Sequence, residues 1–471
     1  MAVGLLGEIV WHKKGEVILC EDKKVYIVHC IDTEGPLYES LLETFIRIEN
    51  MTGFKLEPTM ENLKKIQNKE LDLKGHEDIA SKIFSKRFLD YKDTWNKIDE
   101  MLDVMTSSEY REKFSDSFHN GWKYNWFIMD WVNFEINPRR RDLGYHNIYD
   151  HYQEYYAINH LNDKIDEFHW HAHPMSTYKE AHKCATSFLN SPHIFESLTR
   201  RLLDKAYFPT CFRAGFDTER PDSHWLLEQY IPFDFSNQAI EETEDDKKQI
   251  DLIGGRFGDW RRAVANWEYY HPAHEDYQAK GNCNRVIFRC LNVGTRTRVL
   301  TQDEVDLAFR RADQGENTIL AFADHDWRNM IPDIEEVYEM ILKASKKYKD
   351  VKWINAGAYE AAKSILGVNM QKIQLKTQIV TEGNYKKLLV ESNIDTFGPQ
   401  PFLAIKTKSK RYIMENFDFQ VPKRSWTYTF DEHSIPIEDV ELIGVATNSS
   451  KGTGHLTILD QAGNTKISKD W

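Results

Sequence analysis

Residues 24–36, KVYIVHCIDTEGP, carry the reading that decides the fold. Val25 to Val28 is a compact run with apolar residues on both faces, the pattern of a strand buried in a parallel sheet. The run leads into Asp32, Thr33 and Glu34 and stops at the breaker pair Gly35 and Pro36. Parallel α/β folds place their chemistry at the carboxyl ends of such strands, so these acidic residues are candidates for a site. Asp32 and Glu34 are two apart and share a face in extended chain. A helix cap would also use Asp, Thr and Glu, a role that suits Glu34 and leaves Asp32 for the site.

Working outward, the same pattern of a buried run with a polar end recurs. Residues 125–132, NWFIMDWV, read as a second strand that ends near Asp130. Residues 167–174, EFHWHAHP, set histidines at every second position, so His169, His171 and His173 point to one side of an extended chain. Neutral imidazole is a favoured ligand of zinc and its neighbours, although a solvated polar loop could also hold three histidines. Tyr207 to Phe212 reads as a strand ending in Arg213, Ala214 and Gly215, where an arginine can orient a carboxylate. Residues 318–323, TILAFA, read as the last buried strand of the domain and run into Asp324, His325, Asp326 and Trp327. A histidine between two aspartates suggests an imidazole held as a proton donor, against a helix cap followed by a structural histidine.

The segments between these strands carry fewer signals. Residues 37–118 are mostly helical in pattern and contain nothing that reads as chemistry, so a helical insertion serving as lid or interface is expected. Tyr145 to Tyr156 is rich in aromatic and polar groups, as a sugar pocket or an ordinary loop would be. Residues 240–249 read as an exposed acidic loop, and residues 267–281 as a loop on the substrate side. Ile334 to Tyr348 is an amphipathic helix. From Gln371 onward, short alternating runs broken by turns predict an all-β module.

Composition removes several classes of function. With 61 basic against 74 acidic residues and a formal charge of -13, the chain lacks the basic stripe that nucleic acid requires. Arg139, Arg140 and Arg141 are a short exception that a surface turn or an anion contact explains. No apolar run approaches the roughly eighteen residues of a membrane span, and Met1 to Val10 does not read as a signal peptide. The six cysteines are scattered without CxxC spacing, which fits reduced thiols. A cytoplasmic protein is expected.

Together the strand ends carry Asp/Glu, three histidines, Arg and Asp-His-Asp, an inventory that suits metal-assisted hydrolysis of an amide or ester. In order and character these motifs resemble the polysaccharide deacetylase (NodB-like, carbohydrate esterase family 4-like) superfamily, over roughly residues 24–360. The resemblance implies an α/β fold: a distorted (β/α)7-type barrel from residues 1–36 and 119–368, interrupted by the helical insertion 37–118. Residues 369–471 are then a separate β-sandwich-like module.

By the same resemblance, Asp32 is the general base and Glu34 a metal ligand, with the exchange of these roles also open. Two of His169, His171 and His173 complete the metal set, His169 being the expected bystander. Trp170 stands where the family has a hydroxyl residue, and Ala214 and Gly215 depart from its proline-bearing form. Arg213 orients the base and His325 is the acid, with Asp324 beside it. Asp130, Trp170, Asp326 and Trp327 are the candidate substrate contacts. The implied cofactor is a divalent metal, zinc foremost, and the implied substrate an N-acylated amino sugar or glycan precursor. A homo-oligomer built through the insertion or the β module is also possible on this reading. Two other readings use the same residues: a glycoside hydrolase pairing Asp32 with Asp324 or Asp326, and a non-catalytic carbohydrate-binding protein.

Overall fold

In the computed structural model, seven parallel strands close into a barrel. They are β1 (Lys24–Thr33), β2 (Asn125–Ile128), β3 (Glu167–Ala172), β4 (Cys211–Ala214), β5 (Phe233–Asn237), β6 (Val286–Asn292) and β7 (Thr318–His325). Each pairs with the next, and β7 pairs back onto β1 from Thr318 opposite Val25 to His325 opposite Asp32. A short eighth strand, β8 (Lys352–Asn355), pairs with the first part of β1, whose last residues pair with β2. The structure describes residues 9–11, 17–19, 23–161, 165–175, 178–181, 183, 187–240, 258–295, 297–367 and 371–471. The reading of Met1 to Val10 and that of the acidic 240–249 loop fall almost wholly outside them.

Strand alternation decides what each side chain meets. Tyr26, Val28 and Cys30 of β1 cluster with Phe127, Phe235, Phe288, Ala321 and Ala323, which fill the barrel interior. Val25, Ile27 and Ile31 belong instead to the cluster shared with the surrounding helices. Continuous apolar runs in these strands follow from burial on both faces. Arg289 interrupts the run of β6, which explains why VIFRCLN is hard to recognise as a strand. Its guanidinium is satisfied by the Ala239 carbonyl and the Glu304 carboxylate. Part of the 267–281 loop is likewise a small hairpin, pairing Pro272–Ala273 with Asp276–Lys280.

Between β1 and β2 lie five helices: α1 (Leu41–Thr52), α2 (Met60–Gln67), α3 (Glu77–Ile83), α4 (Trp95–Met105) and α5 (Ser108–Lys113). They divide by packing. Phe45, Ile48, Leu63, Ile66 and Ile83 of the first three make their own cluster. Ile98, Leu102 and Met105 of α4 join the cluster that coats the barrel. The outer layer continues with α6 (Asn147–Ile158), α7 (His193–Lys205), α8 (Pro221–Tyr230), α9 (Gln302–Asp313), α10 (Ile331–Lys347) and α11 (Ala358–Ile365). Among the described residues, no helix is long and apolar enough to cross a membrane.

The last hundred residues fold as two antiparallel sheets, of four strands and of five. Leu403, Ile405, Ile443 and Val445 on one face of the larger sheet meet Leu388, Val390, Trp426 and Tyr428 of the smaller, giving the sandwich its own core. Phe402, Ala404, Ala446 and Leu456 on the opposite face pack against Leu198, Leu202 and Leu203 of α7. This module is thus seated on the barrel through a helix apolar on both sides.

Candidate metal and catalytic site

Register brings the candidate residues together at the carboxyl ends of β1, β3, β4 and β7. His325 lies opposite Asp32, and His171 opposite Arg213. Arg213 is fully buried, and its Nε and Nη2 donate to the two Asp32 oxygens at 2.6 and 3.0 Å. Nη2 also donates to Asp217 Oδ1 at 3.1 Å and Nη1 to the Phe235 carbonyl at 2.9 Å. Burial alone would raise the Asp32 pKa, but Arg213, helped by His171 and His325, outweighs it and holds the carboxyl below its usual range.

One residue beyond Thr33, Glu34 turns its two oxygens to different partners. Oε1 lies 3.4 Å from His173 Nε2 and 3.8 Å from His171 Nε2, while Oε2 forms an ion pair with Arg141 at 2.6 Å. The two imidazole Nε2 atoms are 3.0 Å apart. The ligand atoms of Glu34, His171 and His173 all lie within 4.8 Å of one another, and all three residues are buried. His171 Nδ1 donates to the Arg213 carbonyl at 3.0 Å. A carbonyl can only accept, so the proton sits on Nδ1 and Nε2 offers a lone pair to the centre, as in histidines fixed for metal ligation. Burial opposes charge on both histidines. The carboxylates of Asp32 and Glu34 nevertheless raise His171, whereas His173 remains depressed.

Gly215 makes room for this arrangement. A Cβ at that position would come within 2.0 Å of His173 Cδ2. The His173 ring is flanked by Trp131 at 5.1 Å and Phe216 at 4.7 Å between centroids. Departure from a proline-bearing sequence after Arg213 therefore has a local reason: the chain must pass directly against the imidazole.

His169 shares the face of His171 but not its depth. A strand advances about 3.3 Å per residue, so the four residues from His169 to His173 separate their Cα atoms by roughly 13 Å, too far for all three histidines to meet one ion. His169 Nε2 instead pairs with Glu167 at 3.0 Å, and its ring lies 4.8 Å from that of Phe127.

The chain matches no family model and no curated protein. What the site can do is therefore read from its own geometry.

His325 projects inward, with Nε2 3.7 Å from Asp32 Oδ2 and its ring 4.8 Å from Trp327. Burial pushes its pKa down to about 4, so the imidazole is neutral at pH 7. Its flanking aspartates do not hold it. Alternation sends Asp324 outward, where it accepts from Arg328 Nη2 at 2.6 Å and from the His325 amide at 2.8 Å. Burial raises that carboxyl to about 7. Asp326 accepts from the amides of Glu34 and Gly35 and from Tyr152 Oη at 3.0 Å, bracing the turn after β1. The carboxylate beside His325 is Asp32, contributed by the neighbouring strand.

Asp130 and Trp170 lie away from the centre. Arg201 of α7 donates to both Asp130 oxygens at 3.0 and 2.9 Å, and Trp170 is buried against Phe212 and α7. Trp327 does line the cavity above the site, whose volume is about 200 Å³. Trp131, Arg139, Arg141, Phe216 and Asn292 form other parts of the wall, and Arg47, Phe88 and Tyr91 reach it from the segment between β1 and β2. Nothing in the sequence marked Arg47 or Tyr91. Arg139 and Arg141 were legible only as part of an arginine triplet.

Proposed function

We propose that the protein is a divalent-cation-dependent hydrolase that removes an acyl group, N-acetyl foremost, from an amino sugar or glycan precursor. The observation that carries the reading is Asp32, ionised and clamped by Arg213, beside the convergent Glu34, His171 and His173. One carboxylate oxygen and two imidazole nitrogens fit zinc, the ion of first choice, with a position left open for water and substrate. A divalent ion held there supplies a Lewis acid that lowers the pKa of water and polarises a carbonyl.

The chain's own residues divide the remaining work. Arg213 engages both Asp32 oxygens and fixes the carboxylate, which takes a proton from the water attacking the acyl carbon. His325 is neutral before reaction and lies 3.7 Å from Asp32, close enough for a small shift to let it receive that proton. Once protonated it is a strong acid, suited to delivering the proton to the departing amine nitrogen. Trp131, Tyr91 and Trp327 offer aromatic faces against which a sugar ring can pack. The order of these motifs, similar to that of polysaccharide deacetylases, directs the reading to N-acylated sugars. The paired-carboxylate alternative finds little support, because Asp324 and Asp326 are bound to other groups away from the cavity lining.

Acetate release from N-acetylated sugars and sugar nucleotides, measured with zinc present, tests the proposal. Release by the wild type, abolished in Asp32→Asn and reduced in His325→Ala, is the expected result. A zinc-loaded wild type that binds these sugars without releasing acetate would overturn it in favour of a binding protein.

A further inference from the structure

We propose that Arg139 and Arg141 form an anion subsite in the cavity wall, so that the substrate carries a carboxylate or phosphate close to the acyl group removed. The inference deepens the hydrolase reading and rests on it for the identity of the reacting group. The open guanidinium N–H groups, however, are a property of the wall itself.

Glu39 has a fully buried side chain and serves two guanidiniums: Arg47 Nε at 3.0 Å and Arg139 Nη2 at 3.5 Å. Among the described residues, Arg139 Nε is buried without a hydrogen-bond partner. Arg141, whose side chain is only 9% exposed, pairs with Glu34 Oε2, while its Nη1 is likewise buried and unpartnered among the described residues. Glu34 presents its other oxygen to His171 and His173, so any cation bound there shares the single carboxylate on which Arg141 depends.

Two other guanidiniums at the site each engage two carboxylates. Arg213 serves Asp32 and Asp217, and Arg328 serves Asp324 and Asp333. Leaving a guanidinium N–H buried without an acceptor is costly. An oxyanion seated between Arg139 and Arg141 satisfies both open N–H groups, and the planar fork of arginine suits carboxylate and phosphate alike. Trp131 stacks on Arg141, with the guanidinium carbon 4.8 Å from the ring centroid, which keeps the group beside an aromatic face fit for a sugar ring. Arg140 points elsewhere, over Tyr38 at 4.0 Å, so only alternate members of the triplet enter the cavity.

Calorimetric titration of the wild-type protein tests the subsite with three ligands of one ring and one acyl group: N-acetylglucosamine, its 1-phosphate, and N-acetylmuramic acid. At least one charged ligand is expected to bind tenfold or more tightly than the neutral sugar, by about 10- to 100-fold for charge-assisted bonds. The better of the two identifies the oxyanion. Arg139→Met should erase the preference without changing metal content, whereas Arg140→Met should keep it. The subsite is overturned if the neutral sugar binds as tightly as both anions, or if Arg139→Met retains the full preference. The wild-type comparison decides even if a variant folds poorly. Acetate release with no charge preference removes the subsite alone. A charge preference in a protein that, with zinc supplied, releases no acetate leaves the subsite and removes the deacylase.

Discussion

Replacing Arg213 by methionine isolates the clamp on which the catalytic arrangement depends. The side chain keeps a similar length and apolar stem, but its bonds to Asp32, Asp217 and the Phe235 carbonyl disappear. Two buried carboxylates, Asp32 and Asp217, then lose the guanidinium they share. Breaking a buried ion pair from one side typically costs about 3–5 kcal/mol. At roughly 2–4 °C per kcal/mol for a domain of this size, the barrel transition should fall by about 6–20 °C in scanning calorimetry at pH 7. The deficit has a signed pH dependence. In the wild type the depressed Asp32 pKa contributes stability above the unfolded carboxyl pKa, lost as pH falls below it. In Arg213→Met, burial is opposed only by the weaker pull of His171 and His325 and raises that pKa, so the variant should recover relative to wild type as pH falls from 7 towards 4. Adding Asp32→Asn removes one stranded charge and should restore at least about 1 kcal/mol. A variant within about 1 kcal/mol of wild type at pH 7, or one that Asp32→Asn fails to improve, would refute the reasoning.

Two further perturbations probe other links. Gly215→Ala places a methyl group where His173 stands. It should weaken metal binding at least about tenfold while leaving far-ultraviolet circular dichroism unchanged, and an unaltered affinity in chelator competition would contradict the close approach. His29 is buried beneath the site, accepts from Trp122 Nε1 at 3.1 Å and stacks on Phe322 at 4.6 Å between centroids. Burial pushes its pKa down to about 3, so the unfolded chain binds the extra proton first and stability falls as pH drops from 6.5 towards 3, by at most about 5 kcal/mol. His29→Gln should flatten that slope and move the acid midpoint lower. An unchanged midpoint in an acid titration followed by tryptophan fluorescence would show that His29 does not titrate with unfolding.

Much of the frame was visible in the chain because burial on both faces leaves an unmistakable apolar run. The strand from Lys24, the histidine run and the TILAFA segment all fall on barrel strands, and the alternating C-terminal pattern matches antiparallel sheets. β6 was hidden by Arg289, a charge whose partners are distant in sequence. Within the site, strand rise accounts for the separate place of His169, and period-two alternation for the outward turn of Asp324. Both rules could be applied to the sequence itself once the strand ends were known. The partner of His325 could not, because it depends on the register that closes β7 onto β1. Arg47 and Tyr91 were equally beyond reach: a helix patterned as an amphipathic surface segment delivers Arg47, and the connection before α4, bridged to Arg328, delivers Tyr91.

Metal content per chain, measured by elemental analysis after incubation with zinc and exhaustive dialysis, tests the central claim most directly. The account predicts one divalent ion per chain in the wild type and in His169→Ala, and a loss of at least about tenfold in affinity in His171→Ala, His173→Ala and Glu34→Ala. A wild type that retains no ion, or His171→Ala and His173→Ala proteins that retain it as the wild type does, would contradict the proposed centre.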